Sequence, residues 1–223
     1  MVQKSEKKEK LRTQIIAAAG IYSTLLAGKT FLYVFGTEYF ELLFKTDRFV
    51  HLTGVDTSLH ARDFYVKAKN GLLTSQQFSF SKRHPFETAK KKLSCLTQLP
   101  CLTNNLVCVV KDLSTLTLSY KLGVTNLEFT LGLTENTDSN GNTIDSTFVP
   151  RTLRVRDHSI ENSRDAEFVD FILVKDGSQC KYDTVLFADP LKSLPDSIHG
   201  KISDSLRAHL AKDDCVDTVP QAV

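Results

Sequence analysis

Apolar residues Leu11, Ile15, Ala18, Tyr22 and Leu25 recur at helical spacing, which predicts a helix over residues 5–27 with Ser5 as N-cap and a solvated, lysine-rich start. Thr30–Phe35 is a compact β-branched and aromatic run closed by Gly36, and Tyr39–Phe44 is placed to return beside it. Phe49–Val55 is short and mixed. Read as extended chain, it turns Val50 and Leu52 one way and His51 and Thr53 the other, with Gly54 allowing a tight turn. Further helices are predicted over 58–70, closed by Gly71, and over 85–99, opened by Pro85.

After Thr103 the pattern changes period. Leu106–Val110 reads as a buried strand, and Leu116, Leu118, Tyr120 and Leu122 alternate with polar partners, as do Leu127, Phe129, Leu131 and Leu133. Thr134–Thr143 is polar and without period, which predicts an exposed loop or hairpin tip. Strands resume at 146–155, at 167–175 (apolar on both faces at its centre, as in a central strand) and at 181–188, with Asp176-Gly177-Ser178 turning between the last two. A helix over 201–211 precedes a polar tail. Helices first and strands later give an α+β fold with an antiparallel sheet, not alternating βαβ units.

At 223 residues the chain is one large domain or a domain with appendages, long enough to need no disulfide or metal staple. The 41% hydrophobic and 24% charged content excludes a wholly disordered chain. Five cysteines in an odd set without C-x-x-C spacing read as reduced thiols of a cytosolic protein, and no Cys/His spacing suggests a zinc knuckle. The apolar run 15–28 is too short to span a bilayer. As a signal peptide it has a poor preceding segment, which carries Glu6 and Glu9, and no clear cleavage site.

A net charge of +2 argues against a surface that attracts nucleic acid everywhere. The charge is uneven, however. Lys4, Lys7, Lys8, Lys10 and Arg12 against Glu6 and Glu9 give the first twelve residues a balance of +3, and Lys82, Arg83, Lys90, Lys91 and Lys92 against Glu87 give residues 82–92 a balance of +4. Two basic patches on a mildly acidic body suit phosphate contacts, and equally suit solvated helix faces.

Three segments carry candidate chemistry. His51 beside Thr53 at a strand end suits a general base acting on a ribose hydroxyl; the plainer reading is a half-exposed histidine next to a structural glycine turn. In Val149–Arg156, strict alternation places Arg151 with Val149, Leu153 and Val155 on the apolar face, and Thr152, Arg154 and Arg156 opposite. An inward arginine must line a cavity, where it can clamp phosphate, or pair with a carboxylate such as Asp145 or Asp170; Pro150 is able to shift the register. Lys175 and Tyr182 at a hairpin mouth offer a cation and a hydroxyl to a phosphate, or are two snorkelling surface side chains.

The order of Phe49-Val-His-Leu-Thr-Gly, the Arg62-Asp-Phe-Tyr helix closing on Asn70-Gly71, Val149-Pro-Arg-Thr-Leu, Val169-Asp-Phe-Ile-Leu-Val-Lys and Lys181-Tyr-Asp-Thr-Val-Leu resembles the fourth group of phage-type barnase–EndoU–colicin E5/D–RelE-like nucleases. The resemblance covers about Lys29 to Pro190. It implies N-terminal helices packed on an antiparallel sheet of about four or more strands, and a metal-independent, cofactor-free endoribonuclease of toxin or phage-conflict type with its site on the open sheet face. It divides the chain into a helical extension (1–28), a nuclease domain (29–190) and a C-terminal helix and tail (191–223).

On that resemblance His51 is the acid or base, Arg151 and Lys175 stabilise the phosphorane, and Thr53, Thr152 and Tyr182 orient the phosphate. Lys82, Arg83, Lys90, Lys91, Lys92 and Arg154 are then the RNA-binding cations. The expected partners are RNA and a cognate inhibitor protein, with no membrane and a cytoplasmic location. The competing reading is a catalytically inactive RNA- or protein-binding module of the same fold; a phage structural or packaging accessory is a third.

Overall fold

Strand β1 (Lys29–Phe35) is buried on both faces, and the two cores of the molecule form on either side of it. Phe31, Tyr33 and Phe35 enter the larger core, while Leu32 and Val34 enter the smaller. The computed structural model describes residues 2–114, 119–155 and 164–213.

Helix α1 (Val2–Leu25) presents Leu11, Ile15, Ala18, Ala19 and Tyr22 to the larger core at the expected spacing. The Tyr22 ring meets Phe44, Phe49 and Tyr65 edge-on, and its hydroxyl donates to the Lys45 carbonyl at 2.8 Å. The helix expected to be an extension is thus built into the main core. Strand β2 (Glu38–Leu43) returns along β1 as its sequence suggests.

Four helices follow: α2 (Phe49–Thr53), α3 (Ala61–Lys69), α4 (Phe86–Leu96) and α5 (Cys101–Asn104). Phe49–Thr53 is one helical turn, not the extended segment its mixed pattern suggests. Burial of Phe49, Val50, Leu52 and Thr53 together overrides the weak alternation. Gly54 closes the turn at φ 73°, a left-handed conformation that favours glycine.

The remaining strands are β3 (Cys108–Ser114), β4 (Ser119–Thr125), β5 (Phe129–Thr137), β6 (Thr143–Val155), β7 (Arg164–Phe168), β8 (Phe171–Asp176) and β9 (Thr184–Ala188), before helix α6 (Asp204–Asp213). Leu116, Leu118 and Arg156 lie outside the described residues. Among the described residues one sheet of nine strands runs β7-β3-β4-β5-β6-β2-β1-β8-β9, well beyond the four or so expected. Its pairings are antiparallel except β2 with β6, which run parallel and meet at Leu42 and Phe148. Ile198, Ile202 and Leu206 cover the second face of β1 and β8.

The expected central strand 167–175 is two strands. β7 pairs with β3 at one edge of the sheet, and β8 pairs with β1 seven positions away. In a flat sheet that separation is roughly 34 Å. The chain crosses it with Val169 and Asp170 alone, a reach of about 10 Å. The sheet therefore curls until β7 and β3 approach β1 and β2.

Asp170 sits at this seam, 8% exposed, with its amide donating to Val34 O and its Oδ2 accepting from the Gly36 amide at 2.7 Å. Lys111 on β3 bridges Glu167 on β7 and Glu38 on β2, each at 2.9 Å; these hydrogen bonds raise its pKa to about 12. Removing the seam carboxylate takes away a hydrogen bond between a charged acceptor and the Gly36 N–H. Asp170→Ala is accordingly expected to cost about 1–3 kcal/mol in urea unfolding. Leu191→Ala, at a side chain 90% exposed, is expected to stay within about 0.5 kcal/mol.

Candidate functional site

The β5–β6 ladder breaks where Pro150 enters it. β5 advances one residue, Gly132 to Leu133, while β6 advances two, Thr152 to Pro150. Arg151 is left unpaired in a β-bulge, a device that re-aims a side chain. The strict alternation that put Arg151 on the apolar face fails for this reason: Val149 and Pro150 are both buried, Arg151 is exposed, and Thr152 and Leu153 are both buried. Arg151 pairs with neither expected carboxylate. Asp145 accepts from Asn136 and Thr147, and Asp170 accepts from Gly36.

The bulge opens onto a cleft of about 840 Å³ between the end of α2, the segment leading into α4, and β6. Arg151, Thr152 and Arg154 form the β6 wall, His51 and Gly54 come from α2, and Lys92 reaches in from α4. Lys82, Arg83 and His84 supply the opposite rim. Of the cations expected to bind RNA, Lys82, Arg83, Lys92 and Arg154 line the cleft. Lys90 and Lys91 stand exposed on α4 outside it.

Lys92 is held in this wall by packing. Its Nζ lies 3.5 Å from Thr152 Oγ1, and among the described residues it makes no ion pair. Burial, and then Arg154, lower its pKa to about 8. Gly54 is the complement of this placement, since a methyl group there would sit 2.8 Å from Lys92 Cδ.

His51 reaches solvent at the cleft, yet its pKa is lowered, first by the protein packed around the ring and then by the Arg151 and Arg48 guanidiniums. The ring is therefore neutral at pH 7 and able to accept a proton.

His84, which the sequence pattern did not single out, is the second histidine of the cleft. Its Nδ1 meets Asp56 Oδ1 at 2.5 Å. Ser81 Oγ accepts from the Arg83 and His84 amides, and Asp56 and Ser79 exchange backbone hydrogen bonds at 3.0 and 2.8 Å. Desolvation works to raise the Asp56 pKa, but hydrogen bonds from Ser81 and His84 outweigh it and hold the carboxylate below its ordinary value. The sequence signal was present in Ser81-Lys-Arg-His84-Pro85, a histidine between two cations and a helix-opening proline.

Three residues expected at the site lie elsewhere. Thr53 is fully buried, its hydroxyl donating to Val50 O at 2.7 Å, and it caps α2 from within. Lys175 on β8, three strands from β6, lays its ammonium 4.6 Å from the Tyr182 ring centroid. Tyr182 belongs to the smaller core, where burial raises its hydroxyl pKa far above the usual value. Neither lines the cleft. Among the described residues no three His, Cys, Asp or Glu side chains gather as a metal site, and no helix is long and apolar enough to cross a membrane.

The burial of Lys92 costs stability, since a lysine whose pKa is depressed in the fold binds its proton more weakly there than in the unfolded chain. Lys92→Met is expected to raise the unfolding midpoint at pH 7, and the gain over wild type is expected to shrink as pH rises from 8 to 10.5. Urea titrations across that range measure both effects.

No curated protein and no solved structure gives a match to this chain. A family model does, over residues 14–189, which takes in the second half of α1, all four elements of the cleft and the curled sheet through β9. By that match the chain belongs to the phage-Barnase-EndoU-ColicinE5/D-RelE like nuclease 4 family.

Proposed function

We propose that the protein is a metal-independent endoribonuclease that cleaves RNA by attack of a ribose 2′-hydroxyl on the adjacent phosphorus. One observation carries this reading beyond membership of a nuclease family. Two histidines, one of them paired with a carboxylate, share a cleft with Lys92, Arg151 and Arg154.

The chemistry needs a base, an acid and cations. His51, neutral at pH 7, takes the 2′-hydroxyl proton as the oxygen bonds to phosphorus. Arg151 beside it and Arg154 on the same wall neutralise the charge that builds on the non-bridging oxygens, and Lys92 adds to it through its ammonium. The 5′-oxygen leaves with a proton from His84, whose Nδ1 is engaged by Asp56 and whose Nε2 is the nitrogen left to serve the substrate. The products are a 2′,3′-cyclic phosphate and a 5′-hydroxyl. Thr152 orients the Lys92 ammonium. The cations supply the positive charge that a metal would otherwise bring. A toxin or phage-conflict role, with an inhibitor protein covering the cleft, is the biological setting proposed for such an enzyme.

Purified wild type is expected to cleave single-stranded RNA in EDTA and to leave cyclic phosphate ends, read by gel and mass spectrometry. His51→Ala and His84→Ala are each expected to lower kcat by about 10²–10⁴, and Arg151→Ala by about 10²–10³. RNA left intact by abundant wild type but retained in a filter-binding assay would establish the binding-module reading instead.

The pH profile of kcat/KM is expected to be bell-shaped. Its acid limb falls below pH 6.5, where His51 gains a proton, and on the alkaline side the contribution of the Lys92 ammonium is lost as pH passes about 8. Arg151 is one cause of the lowered His51 pKa, so Arg151→Ala is expected to move the acid limb of the residual activity to higher pH.

A further inference from the structure

The two basic runs of the sequence, far apart in the chain, meet in space. Lys7 and Lys8 on the first turns of α1 line a second hollow of about 560 Å³ together with Ser79, Phe80, Phe86 and Glu87. Residues 82–85 of the same segment line the cleft. The stretch 79–87 is thus the common wall of both cavities.

We propose that this hollow is a stacking subsite for one unpaired base of the RNA strand whose scissile phosphate occupies the cleft, with Lys7 and Lys8 contacting the backbone beside that base. The proposal rests on the ribonuclease reading above. Phe80 and Phe86 stand at 78° with centroids 5.2 Å apart, so one ring can offer its face to a base while the other borders the base edge. Both rings are only partly buried, whereas neighbouring Phe78 is 1% exposed and meets Phe80 edge-on at 6.0 Å. The Lys8 ammonium is held 5.1 Å above the Phe78 ring, beside the hollow. Two ammonium groups against the Glu87 carboxylate leave the rim net cationic.

An aromatic corner with a cationic rim matches a flat base joined to a phosphate, and stacking of this kind tolerates any base. Continuity points the same way. Lys82, Arg83, Lys92 and Arg151 line the cleft and Lys7 and Lys8 line the hollow, so cations border both cavities on the two sides of their shared wall. The Asp56–His84 pair and the Asp56–Ser79 backbone bonds pin the shared wall, holding subsite and cleft in fixed relation.

The test uses the full chain and single-stranded oligoribonucleotides lengthened one nucleotide at a time from a dinucleotide, with an abasic residue placed at each flanking position in turn. In wild type, kcat/KM is expected to rise roughly 5- to 100-fold when the base that reaches the hollow is added, and an abasic residue at that position is expected to abolish the rise. Phe80→Ala and the double variant Lys7→Ala/Lys8→Ala are expected to cleave the dinucleotide at the wild-type rate and to lose the length gain, while Phe80→Tyr keeps it. Circular dichroism and thermal unfolding confirm that the variants fold. A wild type that cleaves the dinucleotide without any length gain, or a gain unchanged in Phe80→Ala, overturns the subsite and leaves the nuclease reading standing. Equal losses on all lengths in folded Phe80→Ala also overturn it, since the ring would then act on the loop alone. A wild type that cleaves none of the substrates removes the ribonuclease reading, and the subsite with it.

Discussion

Two residues carry the chain from one edge of a nine-stranded sheet to a strand near its other edge, and that short crossing dictates the shape of the molecule. Because Val169 and Asp170 reach so little of the distance a flat sheet would demand, the sheet has to curl. Curling puts Lys111 between Glu38 and Glu167 and lets one carboxylate, that of Asp170, hold the turn at Gly36. It also encloses a core large enough to take α1, α2, α3 and α4 on one side, while Tyr182 and α6 close the other. The helices lie over β6 because the sheet wraps toward them, and the cleft is the gap they leave.

Within that frame the geometry of the cleft depends on a missing hydrogen. Pro150 has no N–H to give the β5 ladder, the strand bulges, and an arginine that would otherwise face the apolar side is turned outward to the cleft. Lys92 arrives from α4, and among the described residues no carboxylate meets it. Both side chains bring positive charge to the same cleft, and the burial of Lys92 carries a cost in stability. The β-bulge and the half-buried lysine thus meet at one place in the fold.

Much of the framework is readable from residue pattern alone. The spacing of Leu11, Ile15, Ala18 and Tyr22 marks α1, Asn70-Gly71 marks the end of α3, and the aromatic run 30–35 marks β1. What escapes is whatever tertiary contact decides. Phe49–Thr53 alternates weakly, and only the joint burial of four side chains makes it helical. Residues 167–175 look continuous because both halves are apolar, although they belong to opposite parts of the sheet. The same limit applies to the site. Local motifs frame His51, Arg151, Thr152 and Arg154, and all four line the cleft. Lys175 and Tyr182 were drawn in by closeness along a hairpin, and they serve each other in the smaller core. His84 and Asp56 form their pair across 28 residues, a relation no local window contains.

Gly54 has a consequence for how this cleft can change over generations. A methyl group on it would fall within 2.8 Å of Lys92 Cδ, and the backbone there is left-handed. Loss of the lysine charge and gain of a side chain at position 54 are therefore not independent events. A lineage that shortens Lys92 first removes the steric half of the obstacle to replacing Gly54, whereas one that replaces Gly54 first displaces the lysine at once. The order of substitution is biased, and chains of this kind that lose Lys92 are the ones in which Gly54 is free to drift toward asparagine, the residue that best tolerates its backbone.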